Sequence, residues 1–537
     1  MANLFRQQIE RHFASSKALA SARAASRAPG VIDILGPKGA YLSLVLDVLH
    51  GREEGPSLVV TPTEREAENV VQDVEALGKR PAVVFPWWET APYEGASPLA
   101  SLFGARVRVL SALLSRQALT VVAPLRAFLT PVPDPASLTS RSFTVTKGQK
   151  LDPQEEADRL TREGYLRVPS VSVHGEFAIR GEVVDVWVPG QPQAARILLD
   201  FDEVTAIRTF DPLDQGSTGA VDSLQVTPCR EVALTEEAAT AIAAALEEQG
   251  FSRQEASERA AGLREDPEAS GAELFFPLCF PRHYSLLDYL PAGALVSVVD
   301  GDRVQSNAAA LRKEYQELFR RARSKKHVVP GPQRILMELD PLLAAAGRRA
   351  DFPALASSQG TSVTLPCDGP RSFFGNFTFF REEVEISLKN GYQVFIFAVY
   401  DVQAERLRHI LKDLPVQILP QSISGGFALP AEGDAKAGRI LAIQEAEIFG
   451  RKRRIPRSVG TARTASIDSF VELSIGDLVV HVNHGIGMFQ GIDRISVAGN
   501  DRDYITLEYA DGEKLFIPIE QVNLVQRYIG QEGKKPP

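Results

Sequence analysis

The sequence predicts a multidomain protein that combines α/β and α+β domains, and three observations support this fold class. In residues 1–130, apolar β-rich runs alternate with helical patterns, which is typical of a parallel sheet with crossover helices. Consecutive β runs follow in residues 175–210. In residues 475–519, short β runs are separated by turn signals, which favours a small, strongly curved barrel of about five strands.

The apolar periodicity divides the first region into elements. Strands are predicted at 31–35, 57–61, 82–85 and 119–123, and helices at 42–50, 64–77 and 99–114. The proline-rich segment Thr130–Pro135 interrupts this pattern and marks a domain edge. Helical patterns dominate from about 231 to 345, where one apolar run, 294–300, is predicted to return to the first sheet.

This order of patterns predicts one domain inserted within another, followed by two further domains. The predicted boundaries are 1–130 and 229–348 for the two parts of the first α/β domain, 131–228 for the inserted α+β domain, 349–363 for a linker, 364–457 for a second α/β domain, 458–470 for another linker and 471–530 for the barrel.

Composition excludes several classes of protein. Hydrophobic residues make up 44% and charged residues 24% of the 537 residues, which is ordinary for a globular protein. The three cysteines are widely spaced, which argues against a disulfide framework or a zinc ribbon. His481 and His484 have no third ligand at suitable spacing, so we expect no metal. No apolar run is long enough for a membrane span and the N-terminus is polar, so we expect a cytoplasmic protein.

The formal net charge of −9 is not typical of a dedicated DNA-binding protein. Any contact with double-stranded DNA would therefore be local and weak. The basic run Arg451, Lys452, Arg453 and Arg454 is the candidate for such a contact. The alternative is that this run is a solvated linker.

A glycine loop follows the first predicted strand and precedes a helix, which is the context of a phosphate-binding loop. It contains Gly36, Gly39 and Ser43, and the first and last of these match the motif. Tyr41 stands where the second glycine belongs, and Leu42 stands where the lysine belongs. A leucine donates no hydrogen bond to phosphate, so the loop is predicted to be inactive.

The acidic position of the same predicted site is also altered. Asp300 ends a strand, but Gly301 replaces the glutamate that would polarise water. These two changes predict a RecA-like fold with a degenerate P-loop, no catalytic residues and no cofactor. Lys38 could substitute for the missing lysine, and a further alternative is that neither segment descends from a nucleotide site.

Three stretches of the chain also resemble known families. The runs His481–Gly487, Tyr504–Tyr509 and Lys514–Ile519 resemble the RNA-polymerase-interacting domain that transcription-repair coupling factors share with CarD-type regulators. Residues Gly175–Val186 and Asp200–Val204 resemble the domain with which UvrB binds UvrA. UvrB's long tyrosine-rich hairpin is replaced by the short segment Phe85–Tyr93. The whole layout resembles the first half of the transcription-repair coupling factor family.

This resemblance implies an adaptor with two partners. The C-terminal barrel, Tudor-like in that family, would bind the RNA polymerase β subunit, and the inserted domain would recruit UvrA. The family continues into an ATP-dependent double-stranded DNA translocase, so we expect this chain to be an N-terminal piece or a truncated product. ATP and Mg²⁺ are expected only for that motor half, which this half would contact. The alternatives are a divergent UvrB-type ATP-dependent enzyme and a transcription regulator without a repair role.

The resemblance also implies contact residues. For UvrA these are Arg167, Arg180 and Trp187. Alternatively, Arg180 forms an ion pair with Glu182 or Asp185, and Trp187 packs in the core.

For RNA polymerase, the implied contact residues are Arg494, Ile495 and Val497. They lie on a predicted edge strand, 491–497, that could pair with a strand of the polymerase. The alternative for Ile495 is a place in the barrel core.

Overall fold

The computed structural model describes most of the chain. The described residues are 2–449, except 96–97, 99, 190, 213–214, 268, 355–360, 370–371, 374, 400 and 432–437, together with 476, 478–481, 485–497, 500–509, 513–518 and 525–527. The chain divides into two compact units: 1–143 with 225–452, and 144–224 with 453–537. No helix in the described ranges combines the length and the hydropathy needed to cross a membrane.

Helices are most frequent in the first unit. They are α1 (Ala2–Ser15), α2 (Lys17–Ala25), α3 (Ala40–His50), α4 (Glu64–Leu77), α5 (Ala100–Leu114), α6 (Leu125–Leu129), α7 (Pro135–Arg141), α8 (Pro153–Arg162), α9 (Glu236–Glu248), α10 (Arg253–Glu265), α11 (Gly301–Ser324), α12 (Pro332–Ile335), α13 (Leu339–Ala345), α14 (Phe377–Lys389), α15 (Asp401–Ile410) and α16 (Glu445–Phe449).

The strands occur in all predicted domains. They are β1 (Gly30–Leu35), β2 (Ser57–Thr61), β3 (Ala82–Val84), β4 (Thr120–Pro124), β5 (Phe143–Thr146), β6 (Leu166–Arg167), β7 (Glu176–Arg180), β8 (Val183–Val186), β9 (Ala194–Asp200), β10 (Glu203–Phe210), β11 (Ser217–Val221), β12 (Ser223–Val226), β13 (Leu295–Val299), β14 (Arg348–Phe352), β15 (Thr361–Thr364), β16 (Tyr392–Phe397), β17 (Gln417–Leu419), β18 (Phe427–Leu429), β19 (Arg439–Gln444), β20 (Leu478–His481), β21 (Gly485–Val497), β22 (Asn500–Glu508), β23 (Lys514–Pro518) and β24 (Val525–Arg527).

The first unit contains a seven-stranded parallel sheet in the order β15-β1-β14-β13-β2-β4-β3. Both faces of this sheet are buried. Successive side chains of a strand point to opposite faces, and here they pack in different hydrophobic clusters. Leu58 and Val60 of β2 belong to one cluster, and Val59 belongs to the other. A parallel sheet with both faces buried requires nearly continuous apolar strands, as the sequence predicts here.

Strands occupy part of the segment 349–363, which the sequence predicts to be a linker. Most of β14 and most of β15 lie in this segment, and both strands pair in parallel with β1. The sequence did not predict these two strands because their residues are mostly polar. In β14, Arg349 forms an ion pair with Asp351 at 2.8 Å, and β15 is the outermost strand of the sheet and is largely exposed.

The inserted domain is an α+β unit built on a six-stranded sheet in the order β11-β10-β9-β8-β7-β6. Only β6 and β7 are parallel within this sheet, and the other neighbours are antiparallel. The two chain segments that lead into and out of the domain pair as β5 and β12.

The second α/β region has a four-stranded sheet in the order β17-β16-β19-β18, in which β18 is antiparallel. One face of β16 packs in its own cluster through Val394 and Ile396. The other face, through Phe395 and Phe397, joins the cluster beneath the first sheet. Phe5 of α1 contacts both phenylalanines at ring distances of 5.0 and 5.2 Å. The two α/β regions therefore share a hydrophobic core.

The C-terminal region forms a five-stranded antiparallel sheet in the order β23-β22-β21-β20-β24. Its core contains Val479, Phe489, Ile505, Leu507 and Ile517. The strand count agrees with the sequence, and closure of the sheet into a barrel stays a prediction.

Candidate functional site

The glycine loop between β1 and α3 lies against the backbone of the second α/β region. Gly36 and Gly39 have positive φ values of 100° and 53°. A Cβ atom at Gly39 would lie under 3.0 Å from the carbonyl oxygens of Gly425 and Gly426, and one at Gly36 would clash equally with the Leu365 carbonyl. These glycines are thus required by the close approach of another backbone segment.

The N-terminus of α3 has acceptors from the protein itself. The Ala40 N–H donates to the Gly425 carbonyl at 2.9 Å. The N–H groups of Tyr41 and Leu42 donate to Lys38 and Gly39 carbonyls at 3.2 Å each. In a phosphate-binding loop such groups would face the ligand. Here a carbonyl oxygen accepts the first of these hydrogen bonds.

The side chains at the motif positions are also engaged elsewhere. Tyr41 is 1% exposed and packs between Phe13 and Phe427 at ring distances of 6.2 and 5.6 Å. Leu42 packs against the same core cluster. A lysine at position 42 would have to displace this packing to reach a phosphate.

Asp73 of α4 joins the two α/β regions. Its carboxylate accepts hydrogen bonds from the Ser43 hydroxyl at 2.8 Å, and from the Ser424 N–H and hydroxyl, both at 2.6 Å. Burial raises the pKa of Asp73 to about 6. Ser43, the residue that would hold Mg²⁺ in an intact motif, thus donates to Asp73.

The segment that carries Ser424 and Gly425 has further hydrogen bonds to both α/β regions. Glu447 accepts from the Gly426 N–H and the Gln444 N–H, both at 2.9 Å. Burial raises the pKa of Glu447. Gln72 of α4 donates to the Ser422 hydroxyl at 2.7 Å. We call residues 421–427 the capping segment.

Asp300, the predicted acidic position, caps α11. It has positive φ (52°) and accepts from the Arg303 N–H at 3.3 Å. The Arg303 guanidinium contacts Asp300 at 3.4 Å and Glu66 at 2.5 Å. Among the described residues, no cluster of three or more histidine, cysteine or carboxylate side chains could hold a metal ion.

The segment that replaces the UvrB hairpin is folded into the protein. Trp87, Trp88 and Tyr93 are at most 9% exposed. Arg106 forms a fully buried ion pair with Glu231, and its guanidinium lies 5.2 Å from the Trp88 ring. These aromatic side chains support the core and are not presented to a nucleic acid.

In the inserted domain, Arg180 has both a partner and an exposed surface. It contacts Asp185 at 2.5 Å with 49% of its side chain exposed. Asp185 also accepts two hydrogen bonds from Arg196, at 2.7 and 2.9 Å, and hydrogen bonding to Asp185 raises the pKa of Arg196. The ion pair between Arg180 and Asp185, which the sequence offered as an alternative, is therefore present. The guanidinium of Arg180 nevertheless stays half exposed.

The other two residues predicted to contact UvrA differ in exposure. Arg167 is exposed at the end of β6. Trp187 is half-buried: its ring lies 4.2 Å from the His174 ring, and its indole N–H donates to the Gln191 carbonyl at 3.0 Å.

In the C-terminal sheet, Arg494, Ile495 and Val497 pair with Asp503, Arg502 and Asn500 of β22. Among the described pairings, β20 contacts β21 only at Gly485–Met488, so residues 491–497 pair on one side. This arrangement fits the predicted edge strand. The basic run 451–454 lies outside the described residues.

Sequence reasoning overlooked several exposed apolar side chains. In the C-terminal sheet, Ile492 is 49% and Phe516 is 45% exposed. In the inserted domain, Phe201 is 84% exposed. It also overlooked Asp73 and Ser424, which are 351 residues apart, a separation at which a single sequence gives no signal.

Comparison with known proteins gives two domain matches. The family model described as UvrB interaction domain matches residues 143–231. The model described as CarD-like/TRCF RID domain matches residues 473–529. Together they include the inserted sheet and the C-terminal sheet.

Similar proteins include several named transcription-repair-coupling factor. The protein from Borreliella burgdorferi is 27% identical over 494 residues, which are 91% of this chain and 42% of that protein. The Bacillus subtilis protein is 27% identical over 538 residues, covering 94% and 45%. The Haemophilus influenzae protein is 24% identical over 539 residues, covering 92% and 45%. The chain thus spans less than half the length of these relatives. These matches confirm the resemblance, predicted from the motifs, to the N-terminal half of transcription-repair coupling factors.

Proposed function

We propose that this chain is an adaptor of transcription-coupled DNA repair, which binds stalled RNA polymerase through its C-terminal domain and recruits UvrA through its inserted domain. One observation carries the proposal: a UvrB interaction domain and a CarD-like/TRCF RID domain occur in the same chain. A protein with both domains can hold the two partners at one place, which raises the local concentration of UvrA at the polymerase.

The surface of the inserted domain supports the UvrA half of the proposal. Arg180 and Arg167 keep exposed guanidinium groups on neighbouring strands, β7 and β6. Arginine and tryptophan are frequent hot spots of protein interfaces, and half-buried Trp187 is the aromatic candidate. The ion pair with Asp185 fixes the orientation of Arg180, so little side-chain entropy would be lost on binding.

The C-terminal sheet supports the polymerase half. We propose that it is completed as a Tudor-like barrel and that residues 491–497 add to a strand of the polymerase β subunit. The backbone of this segment pairs on one side in the described residues, which leaves its other edge for β-augmentation. Arg494, Ile495 and Val497 would provide the side-chain contacts.

We further propose that the first sheet is a RecA-like fold whose P-loop is degenerate, and that this chain neither binds nor hydrolyses ATP. The α3 N–H groups donate to protein carbonyls, and Leu42 replaces the lysine. A divergent UvrB-type enzyme would need these groups for phosphate. Double-stranded DNA would bind weakly, through 451–454, and an ATP-dependent translocase half would contact this part of the protein.

A capture experiment tests the adaptor function. RNA polymerase is immobilised, the chain is added, and UvrA is passed over the surface. We expect UvrA to be retained only when the chain is present. Failure of the wild-type chain to retain UvrA, or to bind polymerase, would contradict the proposal. A parallel titration with ATP and Mg²⁺ separates it from the enzyme alternative, for which micromolar affinity is expected.

A further inference from the structure

The turn between β9 and β10 presents an aromatic side chain to solvent. Phe201 is 84% exposed, while other phenylalanines of this domain, Phe177 and Phe210, are fully buried. Its φ is 55°. A bulky residue is rarely found in this left-handed region, where glycine or asparagine is usual. The turn thus carries both backbone strain and an exposed apolar ring.

The turn is held in place by hydrogen bonds. The Phe201 N–H donates to the Glu182 carboxylate at 3.3 Å, and the Leu199 N–H donates to the Glu182 carbonyl at 2.9 Å. On the other side, Lys150 forms an ion pair with Asp202 at 2.8 Å, and the Leu151 N–H donates to the Asp202 carbonyl at 2.7 Å. Phe201 is therefore projected from a turn anchored on both sides.

The strand register places this turn at the same end of the sheet as Arg180. Arg180 pairs with Val183, and Val183 pairs with Leu198, which is three positions before Phe201. The β7–β8 turn at Gly181–Glu182 therefore lies beside the β9–β10 turn. Phe201 therefore lies at the same end of the sheet as Arg180, whereas Arg167 and Trp187 lie near the start of β7, at the other end.

Carboxylates flank Phe201 in the sequence, and the Glu182 carboxylate accepts from its backbone N–H. Four exposed carboxylates lie near Phe201 in the chain: Glu182, Asp200, Asp202 and Glu203. Among the described ion pairs, the one that involves these carboxylates joins Asp202 to Lys150. An apolar ring bordered by negative charge is complementary to an apolar pocket bordered by positive charge.

We propose that Phe201 is an anchor of the UvrA interface and inserts into an apolar pocket of UvrA whose rim is cationic. This inference rests on the proposed recruitment of UvrA and adds a residue and a pocket chemistry to it. The strained, anchored turn presents the ring without a rearrangement on binding, which lowers the entropy cost of association.

The test uses the full chain and the variant Phe201→Gly, because glycine adopts positive φ without strain. We expect this variant to melt no lower than the wild type and to bind RNA polymerase unchanged, but to lose UvrA affinity at least tenfold. Phe201→Tyr should retain most of the affinity. Val221→Ala, which removes another exposed apolar side chain of the same sheet, serves as the matched control and should bind like the wild type.

The outcomes separate this inference from the adaptor proposal. If Phe201→Gly binds UvrA like the wild type while Arg180→Ala binds weakly, the anchor is overturned and the adaptor stands. If all variants lose affinity equally, including Val221→Ala, the anchor is also overturned. If the wild-type chain does not bind UvrA, both proposals fail. Binding that weakens with rising salt concentration supports the cationic rim.

Discussion

One end of the seven-stranded sheet and one end of the inserted sheet differ in whether their groups are bonded within the protein or exposed to solvent. At the glycine-loop end of the seven-stranded sheet, the α3 N–H groups and Asp73 are hydrogen-bonded to the protein itself. At the end of the inserted sheet that carries Arg180 and Phe201, a guanidinium is half exposed beside Asp185 and an aromatic ring is largely exposed. The first end has the form of a ligand site without room for the ligand. The second end presents its groups to solvent.

This contrast separates groups that the fold itself uses from groups that are available to a partner. A helix N-terminus can bind acceptors of several kinds, and here a carbonyl of the capping segment accepts from the first N–H of α3. The exposed residues of the inserted domain have no such structural explanation, since Asp185 would remain paired with Arg196 without Arg180. Exposed hot-spot residue types point to a partner.

The largest effect is expected from filling the space between the glycine loop and the capping segment. Gly39→Ala combines a disfavoured backbone conformation with a collision of the new Cβ atom against the Gly425 and Gly426 carbonyls. We expect a loss of about 3–5 kcal/mol in the free energy of unfolding of the first unit, measured by chemical denaturation.

Gly250→Ala is the matched control for this variant. Gly250 also has positive φ (88°), but nothing lies within 4 Å of a Cβ atom there. It should cost only about 1 kcal/mol. Equal losses for both variants would mean that the contact with the capping segment contributes nothing.

The second prediction concerns the carboxylate that joins the two regions. Asp73→Ala would leave the Ser424 N–H and the Ser43 hydroxyl without their acceptor in a buried site. We expect a loss of about 2–4 kcal/mol by thermal or chemical unfolding. Asp73→Asn keeps one acceptor oxygen and should lose less than about 2 kcal/mol. If alanine and asparagine are equivalent, the hydrogen bonds to Asp73 do not stabilise the contact.

The third prediction contrasts binding with stability at the inserted domain. Arg180→Ala should weaken UvrA binding at least tenfold, or about 1.4 kcal/mol. The free energy of unfolding should change by less than about 1 kcal/mol, because the ion pair is half exposed. Isothermal titration and denaturation on the same preparation measure both quantities. A large stability loss with unchanged affinity would favour a structural role for Arg180.

The fourth prediction concerns the dependence of stability on pH. The pKa of buried Asp73 is raised from 3.8 to about 6, so the folded state keeps a proton that the unfolded state has already lost. The stabilisation by this proton is complete below about pH 4 and is lost as the pH rises through about 6. We expect the wild type to lose up to about 2 kcal/mol between these values relative to Asp73→Asn. Parallel profiles for the two proteins would contradict this.

Local patterns in the sequence predicted the elements that are apolar and periodic. The helix at 64–77 and the strands near 31–35 and 57–61 occur as expected. The strands β14 and β15 were missed because their stability depends on neighbours. Arg348 and Arg349 of β14 form ion pairs with Glu53 and Asp351, and such pairing gives no apolar signal.

The glycine loop was recognised as phosphate-binding in form, and its occupation by the capping segment could not be predicted. That contact depends on residues separated by about 350 positions, which only the folded chain brings together. The exposure of Phe201 could not be predicted either, but here the reason is local. A phenylalanine in a β-rich run is expected to be buried, and only the positive φ of the turn turns it outward.

Hydrogen exchange resolved along the whole chain tests the contrast between the two sheet ends most directly, with and without ATP and Mg²⁺ and with and without UvrA. We predict that nucleotide leaves exchange at 36–43 and 421–427 unchanged, and that UvrA slows exchange at 176–186 and 194–204. Nucleotide-dependent protection of the glycine loop, or no response of the inserted sheet to bound UvrA, would contradict this account.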